Sequence, residues 1–101
     1  MLAAAPALAQ ETRPRPFMLM NLGPAAVVAV EIAAAGGGTF GSSLIGRIAL
    51  PAGNALHLTP PAGSACRSDV RVRFEDGRIA EYPGEDLCQA QRVLRVAPPA
   101  P

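Results

Sequence analysis

Few side chains in this sequence are equipped for chemistry. His57 is the sole histidine. A histidine base needs a hydroxyl or thiol nucleophile on one side and an orienting carboxylate on the other. Ser64 and Ser68 supply hydroxyls and Asp69 and Asp86 supply carboxylates, so the parts of a Ser-His-Asp set are present. No GxSxG elbow or other nucleophile motif aims them. His57 also alternates with Leu56 and Leu58, which turns it outward with Ala55 and Thr59, the setting of a surface histidine rather than a base or ligand. The expectation is a protein without catalytic residues. The alternative is a small hydrolase or ligand carrier using His57 and the glycine-bearing loop Gly36–Ser43.

Metal and phosphate chemistry fare no better. Zinc wants about four nitrogen or sulfur ligands, and two cysteines with one outward histidine fall short. Asp69, Glu75, Asp76, Glu81, Glu85 and Asp86 cluster, as calcium ligands do, but their spacing fits no EF-hand loop. Arg71, Arg73 and Arg78 interleave with them, which reads as charge pairing across a solvated sheet face. The run Ala33 to Gly38, AAAGGG, lacks the Gly-Lys-Ser/Thr or GxGxxG context of a phosphate cradle. No metal and no cofactor is expected, and Cys66 and Cys88, lacking a CxxC arrangement, read as structural.

The element that organises the chain is the stretch between those cysteines. Val70, Val72 and Phe74 alternate with Asp69, Arg71, Arg73 and Glu75, the period of a half-buried strand. Asp76-Gly77 supplies the turn, and Arg78 to Tyr82 returns, bounded by Pro83-Gly84. A two-residue loop would pair Phe74 with Ile79 and set Glu81 on the apolar face. A three-residue loop, Glu75 to Gly77, pairs Val72 with Ala80, Val70 with Tyr82 and Arg71 with Glu81. The longer loop is preferred, because it buries no carboxylate. Cys66 and Cys88 lie at the outer ends of this hairpin and are expected to form a disulfide.

Composition agrees with a need for such a staple. The chain has 101 residues, enough for one small domain. Half of them are hydrophobic, but many are alanine, and Trp is absent. A small domain with a thin core often carries a covalent cross-link. The net charge of +1 gives no electrostatic reason to expect nucleic acid. Every basic side chain is arginine, scattered along the chain, which fits compositional bias better than anion recognition.

Around the hairpin the pattern predicts further short strands. Phe17 to Leu22 is one, ended by Gly23-Pro24. Ala26 to Ile32 is the next, joined to the first as a hairpin, with Val28, Val30 and Ile32 on one face and Val27, Ala29 and Glu31 on the other. Leu44 to Leu50 is weakly patterned. Ala55 to Thr59 and Arg92 to Val96 are strands, the latter with Val93 and Leu94 or Val96 inward. Gly84 to Gln91 is the one candidate helix, a turn or two long. The fold class is all-β: a small antiparallel sandwich of about six short strands with one disulfide. The division is residues 1–9 as a signal-peptide-like segment, 10–16 as an extended linker, 17–97 as the β-domain and 98–101 as a proline-rich tail.

The N-terminal segment MLAAAPALA ends in Ala7-Leu8-Ala9 before Gln10, a small-x-small site of the signal-peptidase type. It lacks a basic region, so an alanine-rich, unstructured N-terminus stays open as the other reading. Either way it is too short to span a bilayer.

The residues so laid out resemble a group of short exported bacterial proteins of unknown function, of the Tat-pathway-signal type. The matching positions are Phe17 and Asn21, then Gly41 and Leu44. The C-terminal block follows with Cys66, Asp69, Val70, Arg71, Phe74, Asp76, Gly77, Asp86, Leu87 and Cys88. Phe40 and Tyr82 stand where that pattern has Trp. The resemblance implies an exported β-fold and carries no catalytic residues. The functional expectation is a non-enzymatic binding or envelope-associated accessory module, periplasmic or secreted. Its partner would be a protein or envelope component, with no nucleic acid and no transmembrane segment.

Overall fold

The computed structural model describes residues 13–99; the signal-like segment 1–9 lies outside them. Among the described residues six strands form: β1 (Phe17–Asn21), β2 (Val27–Ala34), β3 (Ala55–Leu58), β4 (Arg67–Phe74), β5 (Ile79–Asp86) and β6 (Val93–Val96). They make two three-stranded sheets, β3-β1-β6 and β2-β4-β5. The sheets share one core. Phe17, Leu19, Leu58, Leu94 and Val96 face it from the first, and Val27, Val30, Ile32, Val70, Val72, Phe74 and Ala80 from the second. Ile45, Leu50 and Leu87 close it from the connecting segments. Each fully buried Val, Leu or Phe contributes roughly 1.5–3 kcal/mol, so a dozen such residues carry the fold.

The β4–β5 hairpin has the three-residue loop. Val70 pairs with Tyr82, Arg71 with Glu81 and Val72 with Ala80. Gly77 closes the turn at φ +91°, and its amide donates to the Phe74 carbonyl at 2.9 Å. A Cβ is disfavoured at that φ, which is why glycine stands there. Asp76 supports the same turn by accepting the Arg78 amide at 3.0 Å.

Pro83-Gly84 does not end β5, as the sequence led us to expect. The strand runs on to Asp86, with a register shift between Ser68 and Val70 that sets Pro83 and Gly84 opposite Asp69. This is a bulge: Gly84 takes φ +64°, and Pro83, on an edge strand, sacrifices no ladder bond. Because pairing extends that far, Glu85 and Asp86 are strand residues. The chain from Leu87 to Gln91 makes turns, and the expected helical turn does not form.

The largest departure is at Asn21–Ala26. β1 and β2 are not a hairpin; they belong to different sheets. Asn21 is fully buried. Its Nδ2 donates to the carbonyls of Ala25 at 2.9 Å and Leu50 at 3.0 Å, and its Oδ1 accepts the Gly23 amide at 2.9 Å. The carboxamide thereby holds a corner that carries the chain from one sheet to the other. Gly23 has no room for a side chain, since a Cβ would stand 2.6 Å from Pro98. Gly-Pro serves a corner as well as a hairpin turn, so local sequence does not separate the two.

β2 enters its sheet with a bulge between Val27 and Ala29. That irregularity turns Val27 inward and leaves Val28 exposed, reversing the expected alternation at this end, while Val30 and Ile32 stay inward. β6 lies parallel to β1, with Leu19 opposite Leu94, in an otherwise antiparallel fold. Its buried residues are Leu94 and Val96; Val93 is half-buried.

Candidate functional site

The disulfide forms between Cys66 and Cys88, with Cα atoms 5.1 Å apart. Beside it Leu87 donates its amide to the Cys66 carbonyl at 2.8 Å and accepts the Arg15 amide at 2.9 Å. The segment expected as a linker is thus pinned to the domain at Arg15. At the other end the Tyr82 hydroxyl donates to the Ala97 carbonyl at 3.0 Å and accepts the Ala97 amide at 2.9 Å.

The side chains that could do chemistry are held apart. His57 sits exposed on β3, opposite Met18, in the sheet that does not include the stapled hairpin. Ser64 donates its hydroxyl to the Pro61 carbonyl at 2.7 Å, and Ser68 to the Ala65 carbonyl at 2.8 Å. Asp86 accepts the Cys88 amide at 3.0 Å. Asp69 spans two glycines, taking the Gly84 amide at 2.9 Å and the Gly36 amide at 3.1 Å. It ties the β5 bulge to the glycine-bearing loop, a structural task that its place in an alternating strand does not announce.

The expected Arg71–Glu81 pairing is correct in register, but the Arg71 ion pair runs to the other neighbouring strand. Glu31 on β2 accepts from Arg71 Nε at 2.9 Å and Arg73 Nε at 3.2 Å. Burial pushes the Glu31 carboxyl up, and the two arginine hydrogen bonds outweigh it, so it ends below its ordinary 4.5. The Asp76 carboxyl is lowered mainly by its side-chain bond to Arg78. Glu85 pairs with Arg92, across the end of the hairpin. Over Arg71 lies Phe40, with the guanidinium carbon 4.0 Å from the ring centroid. That stack fastens the tip of the glycine-bearing loop to β4.

The loop so fastened roofs a cleft of about 460 Å³, within the roughly 300–1,000 Å³ of small-molecule sites. Thr39, Gly41, Ser42, Ser43 and Leu44 line one side, Pro61, Ser64, Ala65 and Ser68 the other, and Ile32 to Ala34 of β2 the floor. His57 is not among them, so the pairing of His57 with this loop is not realised. The loop itself does line a cleft. Sequence reasoning named Ser43 only as the end of the loop, and Ser64 and Ser68 only as hydroxyls near Cys66, without setting the two across a cleft. Two serines before an apolar Leu-Ile pair, and a Pro-Pro-Ala-Gly-Ser turn, were the available signals.

No family model matches the chain, and no curated protein matches it. Among solved structures it is similar to an NMR structure of a protein from Eubacterium rectale. The identity is 16% and the TM-score 0.57, over 94% of this chain and 84% of that one. At that identity the likeness shows the fold: the same arrangement of chain recurs in another protein of this size.

Proposed function

We propose that this protein is an exported, disulfide-stapled β-sandwich that works by binding, as an envelope-associated accessory module, with the cleft beneath Thr39–Leu44 as its site. The observation that carries this reading is where the hydroxyl protons go. A nucleophilic serine must pass its proton to a base, and Ser64 and Ser68 give theirs to backbone carbonyls. The cross-link supports an oxidising compartment. The Ala7-Leu8-Ala9-Gln10 site and the resemblance to short exported proteins support the periplasm or exterior. Among the described residues no helix is long and apolar enough to cross a membrane.

The test is made in the native host. The protein should appear in the periplasmic or secreted fraction, and its cysteines should resist alkylation until reduced. Recovery as a cytosolic dithiol overturns export. Immobilised wild-type protein should retain an envelope component that a cleft-filling Ser42→Trp variant loses. Equal retention by both overturns the cleft as the binding site.

A further inference from the structure

The hydrogen-bonding capacity left over in the cleft defines a ligand class. On the roof, Ser43 Oγ accepts the amides of Val30 at 3.1 Å and Ile45 at 3.4 Å. With two donors already aimed at its oxygen, its own proton is free to be donated elsewhere. On the facing wall the polarity is reversed. Ser64 spends its proton on the Pro61 carbonyl, so its half-buried oxygen is left as an acceptor, while Ser68, bonded to the Ala65 carbonyl, is buried beneath it. Thr39 and Ser42 add exposed hydroxyls at the rim, and Ile32, Leu44 and Pro61 add aliphatic surface. None of the described lining residues is charged.

A ligand that fits must therefore be neutral and must accept on one side while donating on the other. Two chemistries do so: an array of hydroxyls, and a peptide backbone. β2 is an edge strand, so a peptide would be expected to add to it as a further strand. That ladder is already interrupted. Ser43 takes the Val30 amide, Leu44 donates to the Val30 carbonyl at 2.7 Å, and Gly41 donates to the Ile32 carbonyl at 3.1 Å. Hydroxyls need no continuous ladder, since each one donates and accepts locally.

Building on the binding reading above, we infer that the cleft takes a neutral saccharide, with Ser43 donating to one sugar oxygen and Ser64 accepting from a hydroxyl opposite. The experiment follows backbone amide resonances of the full oxidised chain. The probes are cellobiose, maltose and chitobiose, with glucuronic acid and acetyl-Ala-Ala-Ala-amide alongside. The expected result is saturable shifts, with at least one neutral disaccharide, confined to Thr39–Leu44 and Ser64–Ser68. Ser43→Ala should weaken that binding roughly tenfold, as loss of one well-placed hydrogen bond does. Because Ser43 also braces the loop, Ser42→Trp serves as a second variant and should abolish the shifts with the fold intact. Saturable binding of the capped peptide in the cleft, with no disaccharide bound, overturns the saccharide inference and leaves the binding module standing. Preference for glucuronic acid, or disaccharide shifts outside the cleft, overturns the assignment of neutral ligand or site. No shift with any probe overturns the saccharide inference, while retention of an envelope component decides the module separately.

Discussion

The two sheets of this protein are built in opposite ways. In β2-β4-β5, the β4–β5 pair is a hairpin of neighbouring strands, closed at one end by Asp76-Gly77 and at the other by Cys66–Cys88. In β3-β1-β6, no two paired strands are consecutive, and one pair is parallel. The first is held by local turn chemistry and a covalent bond. The second exists because Phe17, Leu19, Leu58, Leu94 and Val96 can bury themselves only against the first. The lesson is that a thin core can be assembled on a stapled hairpin, with the distant segments added onto a preformed apolar face. The hairpin closes only short loops, whereas the pairs of β3-β1-β6 join segments separated by long stretches of chain, at a higher closure cost.

The corner between the sheets is most vulnerable at Asn21, which holds it. Asn21→Ala leaves the Gly23 amide and the Ala25 carbonyl without their partner and strips one of two donors from the Leu50 carbonyl, which keeps the Val27 amide. At roughly 1–3 kcal/mol each, partly relieved by relaxation, the expected loss is about 4 kcal/mol in denaturant unfolding. Amide exchange should rise in β1, β3 and β6 well before β4 and β5. Uniform acceleration in both sheets would show that they do not differ in the way described.

Removing the cross-link attacks the other side. A Cys66→Ala/Cys88→Ala chain should lose about 3 kcal/mol, the chain-entropy value for a loop of this length. Since the second sheet leans on the hairpin, thermal unfolding should fall as one transition. Survival of β3-β1-β6 after the hairpin has opened would reverse the proposed dependence.

A smaller effect sharpens the picture of the hairpin tip. Gly77 sits at φ +91° in open space, so Gly77→Ala meets no clash and costs only backbone strain, about 1 kcal/mol. Equilibrium unfolding checks it, and a neutral result would remove the strained turn from the account.

The smallest effect concerns Glu31, which joins β2 to β4 through Arg71 and Arg73. Its carboxyl is lowered on folding. The folded state thus binds fewer protons than the unfolded one near pH 4, and the contribution is fully present above the ordinary 4.5. It is lost as pH falls through the lowered folded value. Wild type should therefore lose more stability than Glu31→Gln between pH 6 and 3, by an amount on the order of a few tenths to 1 kcal/mol. Parallel pH profiles for the two chains would mean the ion pairs contribute nothing.

The all-β class, about six short strands, the register of the stapled hairpin, the glycine at its tip and the disulfide were all legible in the residues. These are local matters: alternation of period two marks a strand, a positive-φ residue marks a tight turn, and two cysteines leave one pairing. Tertiary structure alone decided which strands pair across long separations, because Phe17 to Asn21 reads equally well beside β2 or beside β6. It also decided that Val27 rather than Val28 turns inward, since a bulge shifts alternation by one residue without altering composition. The site was less legible than the fold. Asn21, Glu31 and Ser43 take their roles from partners far along the chain, at Leu50, at Arg71 and Arg73, and at Val30. A hydrogen bond between distant segments has no sequence period, so only the folded chain shows that the cleft has a donor on one wall and an acceptor on the other.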